Sequence, residues 1–285
     1  APGEGNYCWQ LVTGTNRVVI PIPPKPPLVF AFTRPYALTG SEPLAALGRT
    51  EGRVEIWDLA ARRLVAAWSA GTNYISAVAF SPDGTRLATG DGSAMVQLWD
   101  RFTGAEIARF KAASSWVSAL FFSPDGKLLV TGNTSSRETR VWNLATRELV
   151  VPLDVAVNQI AFAPDGKSLI TCSVADNEAQ IWELPSGRRR APLKGHVGGV
   201  IGAAFSPDGQ TLATGAYDGR IKLWNLAIGQ EVATIPYTGM MTTLHFSPDG
   251  RTLATSLWLS PGYQVRLFRA PKLEEIAEEE KDRGR

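Results

Sequence analysis

Apolar residues in this chain fall in short runs, such as SAVAF at 76–80, RLATG at 86–90, TLATG at 211–215 and RIKLW at 220–224. Each run is rich in Val, Ile, Leu, Ala or aromatics and bounded by turn residues, the signature of a β-strand rather than a helix. Apolar and polar residues do not alternate strictly, as expected of strands packed on both faces. The fullest copy of the pattern is 195–225, GHVGGVIGAAFSPDGQTLATGAYDGRIKLWN. A strand ending at Phe205 meets the turn Ser206-Pro207-Asp208-Gly209; a second strand meets Tyr217-Asp218-Gly219; a third ends at Trp224. In the first turn proline sets φ, aspartate bonds its own backbone and glycine accepts positive φ, which predicts a short hairpin.

The unit recurs. Ser-Pro-Asp-Gly begins at Ser81, Ser123, Ser206 and Ser247, and as Ala-Pro-Asp-Gly at Ala163. Third strands end at Trp57, Trp99, Trp142, Trp182 and Trp224, with Phe268 in the sixth place. Two independent landmarks therefore share one period of about 40–45 residues. The chain resembles the WD-repeat family. The residues after the tryptophans, Asp58, Asp100, Asn143, Glu183 and Asn225, keep the Trp-Asp dipeptide only twice, so the resemblance rests on period and turns.

That resemblance implies an all-β fold, a WD-repeat β-propeller of four-stranded antiparallel blades. Residues 28–277 hold six units. Residues 1–27 have material for a partial blade that closes the ring, with WQLVTG (9–14) and RVVIPI (17–22) as strands and a stiff proline run at 21–27. Seven blades are expected, with six as the alternative, in one domain spanning 1–277. Residues 272–277 are expected to form the outer strand of the last unit, and 278–285 a charged tail. In the first unit Thr33-Arg34-Pro35-Tyr36 stands for the usual turn, after a strand ending at Ala31 and Phe32. Phe32, Phe80, Phe122, Phe162, Phe205 and Phe246 are read as a core layer between blades, beside a small-residue series of Ala31, Ala79, Ala161 and Ala204 that Phe121 and His245 interrupt.

Composition narrows the function classes. Of 285 residues 44% are hydrophobic and 20% charged, and the net charge of +2 gives no electrostatic case for nucleic acid or an anionic membrane. No apolar run approaches the roughly 18 residues of a spanning helix. Two cysteines, Cys8 and Cys172, are too few for a disulfide framework; Cys172 replaces a repeat glycine and reads as a small buried residue. The chain starts at Ala1 rather than Met, so a targeting signal can lie outside it. The compartment stays open, with the cytoplasm as the default.

The resemblance also assigns a buried polar tetrad: His196, Thr214, Asp218 and Trp224. Asp218 accepts from the imidazole, the Thr214 hydroxyl bridges, and the Trp224 indole donates. The competing reading makes His196 a general base oriented by Asp218. At the His196 position the other units carry Gly71, Ala113, Leu153 and Tyr237, and Asp176 and Glu51 keep only the acid, so one unit is expected to be locked by polar groups and the rest by packing. His245 lies within a strand and is expected to be buried. No His, Cys or Asp cluster at metal-ligand spacing is present, and no cofactor is expected. The aspartates at 83, 125, 165, 208 and 249 are explained by their turns. The basic run Arg188-Arg189-Arg190, with Arg62 and Arg63 in the matching loop, differs from the Phe-Arg-Arg-Gly of phosphoinositide-binding propellers and is read as a solvated loop.

A partner surface is expected where first strands begin. Six residues before the core phenylalanines stand Tyr74, Trp116, Ala156, Gly199 and Met240; four before stand Ser76, Ser118, Asn158, Ile201 and Thr242. In WD-repeat propellers these places line the rim that receives partner peptides, and Tyr217 and Trp258 come from turns on the same face. The candidate binding set is Tyr74, Trp116, Ser76, Ser118, Asn158, Tyr217, Met240 and Trp258, with the large aromatics as anchors. The competing reading buries Tyr74 and Trp116 at blade junctions. The expected function is a non-catalytic scaffold for a protein or peptide. The alternatives are a structural subunit of an assembly and an enzyme or cofactor-bearing propeller. The repeats are similar to bacterial ones that often sit beside kinase or other domains, so fusion or assembly with further domains is also an expectation.

Overall fold

In a computed structural model of the chain, the structure describes residues 10–13, 16–19, 36–38, 44–58, 60–174, 177–259 and 262–269. Every regular element among them is a strand. The chain divides into two compact units, Ala1–Ala156 and Val157–Arg285.

The first unit holds a hairpin, Gln10–Thr13 with Asn16–Val19, and three four-stranded antiparallel sheets. Sheet one is Tyr36–Leu38, Leu44–Gly48, Arg53–Asp58 and Arg63–Ser69. Sheet two is Ile75–Phe80, Arg86–Asp91, Met95–Asp100 and Glu106–Lys111. Sheet three is Ala119–Phe122, Leu128–Gly132, Glu138–Asn143 and Leu149–Asp154. In the second unit, sheet four is Gln159–Phe162, Ser168–Cys172, Gln180–Glu183 and Arg188–Arg189. Sheet five is Val200–Phe205, Thr211–Ala216, Arg220–Asn225 and Gln230–Pro236. Sheet six has three described strands, Met240–Phe246, Thr252–Leu259 and Gly262–Arg269. Each sheet is a meander in chain order. The expectations for the remainder of 1–35, for Asp176, for an outer strand at 272–277 and for the tail at 278–285 lie outside the described residues.

One register runs through all six sheets. Phe80 pairs with Leu87, Leu87 with Trp99, and Trp99 with Glu106. The same row is Phe122–Leu129–Trp142–Leu149, Phe162–Leu169–Trp182–Arg189, Phe205–Leu212–Trp224–Glu231 and Phe246–Leu253–Phe268. In sheet one the row reads Leu38–Ala45–Trp57–Leu64. This corrects the reading of the first unit. Leu38, not Phe32, holds the phenylalanine position, and Tyr36 begins a strand instead of ending a turn. The repeat length of 42 that separates Trp57 from Trp99, counted back from Phe80, lands on residue 38.

The Ser-Pro-Asp-Gly turns carry a bond the serine supplies. Ser206 Oγ lies 2.5 Å from Asp208 Oδ1 and accepts the Thr211 N–H at 2.9 Å, while Asp208 Oδ1 accepts the Gln210 N–H at 3.0 Å. The geometry repeats at Ser81, Ser123 and Ser247. Gly84, Gly126, Gly166, Gly209 and Gly250 all have φ near +70°, a conformation only glycine adopts freely.

Successive sheets interlock at a second-strand glycine. A Cβ on Gly48 would lie 2.4 Å from Ile75 Cγ2, and one on Gly90 would lie 2.7 Å from Val117 Cγ1. In the second unit a Cβ on Gly215 would lie 2.0 Å from Met241 Cε. Cys172 takes this place in sheet four, fully buried in one core with Val200. Burial pushes its thiol up to about 12, so it stays a protonated apolar group. His245 is exposed, against the expectation of burial.

Candidate interaction surface

The four tetrad residues come together in sheet five. Trp224 Nε1–H donates to Thr214 Oγ1 at 2.8 Å, Thr214 Oγ1 lies 2.9 Å from His196 Nε2, and His196 Nδ1 lies 2.8 Å from Asp218 Oδ2. The His196 side chain is fully covered and that of Asp218 nearly so. With the proton on Nδ1 every group is satisfied: indole to hydroxyl, hydroxyl to Nε2, Nδ1–H to carboxylate. Asp218 also accepts the backbone N–H of Val197 and of Arg220. Burial alone would raise its carboxyl; these hydrogen bonds outweigh that and hold it below its ordinary value. Both imidazole nitrogens are committed inside the protein, so His196 has no nitrogen to offer a substrate.

The lock is not confined to one sheet. Trp99, Trp142 and Trp182 donate to Thr89, Thr131 and Thr171 at 3.0, 3.0 and 2.9 Å, and these threonines are buried. In sheet one the Trp57 indole donates instead to Glu55 at 3.1 Å, and Arg49 grips the same carboxylate at 2.7 Å. In sheet six, where the Phe268 ring has no N–H to donate, Thr255 donates to the Thr243 carbonyl at 2.8 Å. The expectation that only one unit is locked by polar groups is therefore corrected. The signal was visible as the Thr of each Thr-Gly or Thr-Cys pair, ten or eleven residues before its tryptophan. Tyr237 occupies the histidine place in sheet six, buried, with its hydroxyl on the Ala216 carbonyl; burial raises its phenol above the ordinary range.

The proposed rim residues divide. First strands begin at the sheet end where second strands finish, as the Met240–Trp258 pairing and the Tyr217 N–H to Gly199 carbonyl bond show. In the first unit Trp116 is exposed (39%) and Tyr74 half-buried. Tyr74 lies over Gly92, where a Cβ would come within 2.3 Å of the ring, and its carbonyl accepts the Gly92 N–H. One residue beyond Trp116, the Val117 N–H donates to Asp91 and the Val117 carbonyl accepts Ser76 Oγ at 2.5 Å. The two aromatics thus stand at the same end of adjacent sheets. Ser76 and Ser118 do not belong to the exposed set. Both are buried, Ser76 bonding Val117 and Gly90 carbonyls and Ser118 accepting the Thr134 N–H, so they tie strands instead of facing a partner.

In the second unit Tyr217 and Trp258 are each 47% exposed and Met240 is half-buried. Asn158 is half-buried and spends its carboxamide oxygen on the Val174 N–H at 2.9 Å. Two residues that sequence reasoning missed extend this group. Val197 is 82% exposed and Val174 also exposed, both beside the Gly198-Gly199 backbone that carries Tyr217. An apolar residue in a glycine-flanked loop, His196-Val197-Gly198, was the available sign. Among the described residues no three His, Cys, Asp or Glu side chains gather as metal ligands.

The family model "WD domain, G-beta repeat" matches residues 62–100, 104–143, 151–183 and 187–225, together more than half of the chain. Each match starts at the outer strand of one sheet or the turn before it and ends at the third-strand tryptophan row of the next, so sequence repeat and sheet are offset by one strand. Among curated proteins no match to the chain is found.

Proposed function

Since the chain belongs to the WD-repeat (WD40) family, whose domains generally mediate protein–protein interaction, we propose that it is a non-catalytic scaffold that holds a protein or peptide at the sheet end where first strands begin. The observation that carries this reading is the pair Tyr74 and Trp116, presented at the same end of adjacent sheets by backbone bonds that do not use their rings. Rigid aromatics with a polar edge bury much area at little rotamer cost. Tyr217, Trp258, Met240 and Val197 give the second unit its own apolar group at the corresponding strand ends. The enzyme reading has less support, because both His196 nitrogens are occupied by Asp218 and Thr214.

The test is a Tyr74→Ala/Trp116→Ala variant compared with the unchanged protein in affinity capture from native lysate, with circular dichroism as the folding control. The expected result is a folded variant that loses a partner, each anchor contributing about 2 kcal/mol. Undiminished capture by a folded variant moves the site elsewhere.

A further inference from the structure

The outer strand of sheet four is unlike the others. Those of sheets one, two, three and five have six or seven residues; in sheet four only Arg188–Arg189 pair. The last ladder bond is Arg190 N–H to the Ile181 carbonyl at 2.9 Å, and pairing resumes only as a bridge between Ala179 and Leu193. That bridge places Pro192 opposite Gln180, and proline has no N–H to donate. The chain leaves the sheet there, and a cleft of about 450 Å³ opens along this edge, from Leu193 down to Glu183 and Arg188 at the end that carries the Ser-Pro-Asp-Gly turns.

Its floor is apolar, from Ile181, Leu193 and Leu226, and its rim is Arg188, Arg189 and Arg190 with one acid, Glu183. Arg188 holds Glu183 at 2.7 and 2.9 Å, and Arg190 adds its Nε at 3.0 Å. Two guanidiniums on one carboxylate bring Glu183 down to about 2. Arg189 and Lys194 reach Glu178 only at 3.8 and 3.7 Å. Four cations thus face two carboxylates, and the arginines remain open to solvent.

The geometry points to a second binding site here, for a short acidic peptide segment whose carboxylate docks on Arg189 and Arg190 while a neighbouring apolar side chain rests on Ile181, Leu193 and Leu226. Guanidinium forks match carboxylates in two-point geometry, as Glu183 on the neighbouring Arg188 shows. The site runs along the outer edge of sheet four, with Glu183 and Arg188 at the far end from Asn158, and does not depend on that surface binding anything.

Fluorescence anisotropy of a fluorescein-labelled Asp-Glu-Leu-Asp-Leu peptide tests it. The expected result is saturable, salt-sensitive binding, at least tenfold weaker for the Asn/Gln isostere and at least tenfold weaker in a folded Arg189→Gln/Arg190→Gln variant. Glu183→Gln, which removes the internal competitor, is expected to tighten binding severalfold and serves if the double variant misfolds. Absence of saturable binding, equal binding of the isostere, or an affinity unmoved by both variants overturns the proposal. Sedimentation with phosphatidylserine vesicles in the absence of peptide binding also overturns it and reassigns the cleft to a membrane surface.

Discussion

The indole of Trp142 donates to the hydroxyl of Thr131 at 3.0 Å in a sheet that contains no histidine. The same bond ties the third strand to the second in four sheets, and only in sheet five does it continue to His196 and Asp218. The histidine is therefore an extension of a smaller lock that the sheets share. Burying an indole N–H costs free energy unless it is paired, and the threonine supplies the acceptor at no cost in packing.

The Trp142–Thr131 bond can be weighed by a double-mutant cycle. Trp142→Phe removes the donor and leaves a buried hydroxyl; Thr131→Val removes the acceptor and leaves a buried N–H. Either change alone is expected to cost more than half of the double change. The coupling should be about 1 kcal/mol, measured by urea unfolding.

His196→Ala strands the buried Asp218 carboxylate and is expected to cost about 3 kcal/mol. His196→Ala with Asp218→Ala should cost less than the sum of the two single changes, because the uncompensated charge is gone. Thermal and urea unfolding measure both. An unchanged midpoint in the single variant rules out the buried pair.

Gly90 and Gly215 make the same close approach to different neighbours, so alanine should separate them. At Gly90 the intruding Cβ meets the branched base of Val117; at Gly215 it meets the terminal methyl of Met241. Valine cannot turn away and methionine can. Gly90→Ala is expected to lose about 2 kcal/mol and Gly215→Ala under about 1 kcal/mol, on the scale for overpacked cores. Equal melting temperatures would contradict this.

Acid should loosen the protein through carboxylates held below their ordinary values. Serine hydroxyls and backbone N–H groups lower Asp83, Asp125, Asp208 and Asp249, and the bonds to His196 and the backbone lower Asp218. A depressed folded-state value means that the unfolded chain takes up protons first. The stabilisation is present above the unfolded value, about 3.9 for aspartate, and fades as pH falls through the folded values. The urea midpoint is expected to drop below about pH 4. Ser206→Ala, which removes one hydroxyl from Asp208, should shift Asp208 upward in a carboxylate NMR titration.

The repeat, the strand order within a sheet and the turns were legible in the sequence because each depends on neighbours along the chain. Pro-Asp-Gly dictates its own hairpin, and a 40-residue period survives the loss of most Trp-Asp dipeptides. The tetrad was legible too, since strand register converts the spacing from His196 to Trp224 into adjacency. The false match at Phe32 shows the limit of composition without counting, as Leu38 took the row by register. What tertiary structure alone decided is exposure. Ser76 and Ser118 look like rim polar residues, yet the next sheet's Val117 and the Thr134 turn claim their hydroxyls. The arginine run reads as a charged loop, yet Pro192 breaks the ladder and Leu226 of the next sheet supplies the floor of a cleft. Which side of a strand meets solvent depends on the neighbouring sheet, and that neighbour stands some forty residues away along the chain.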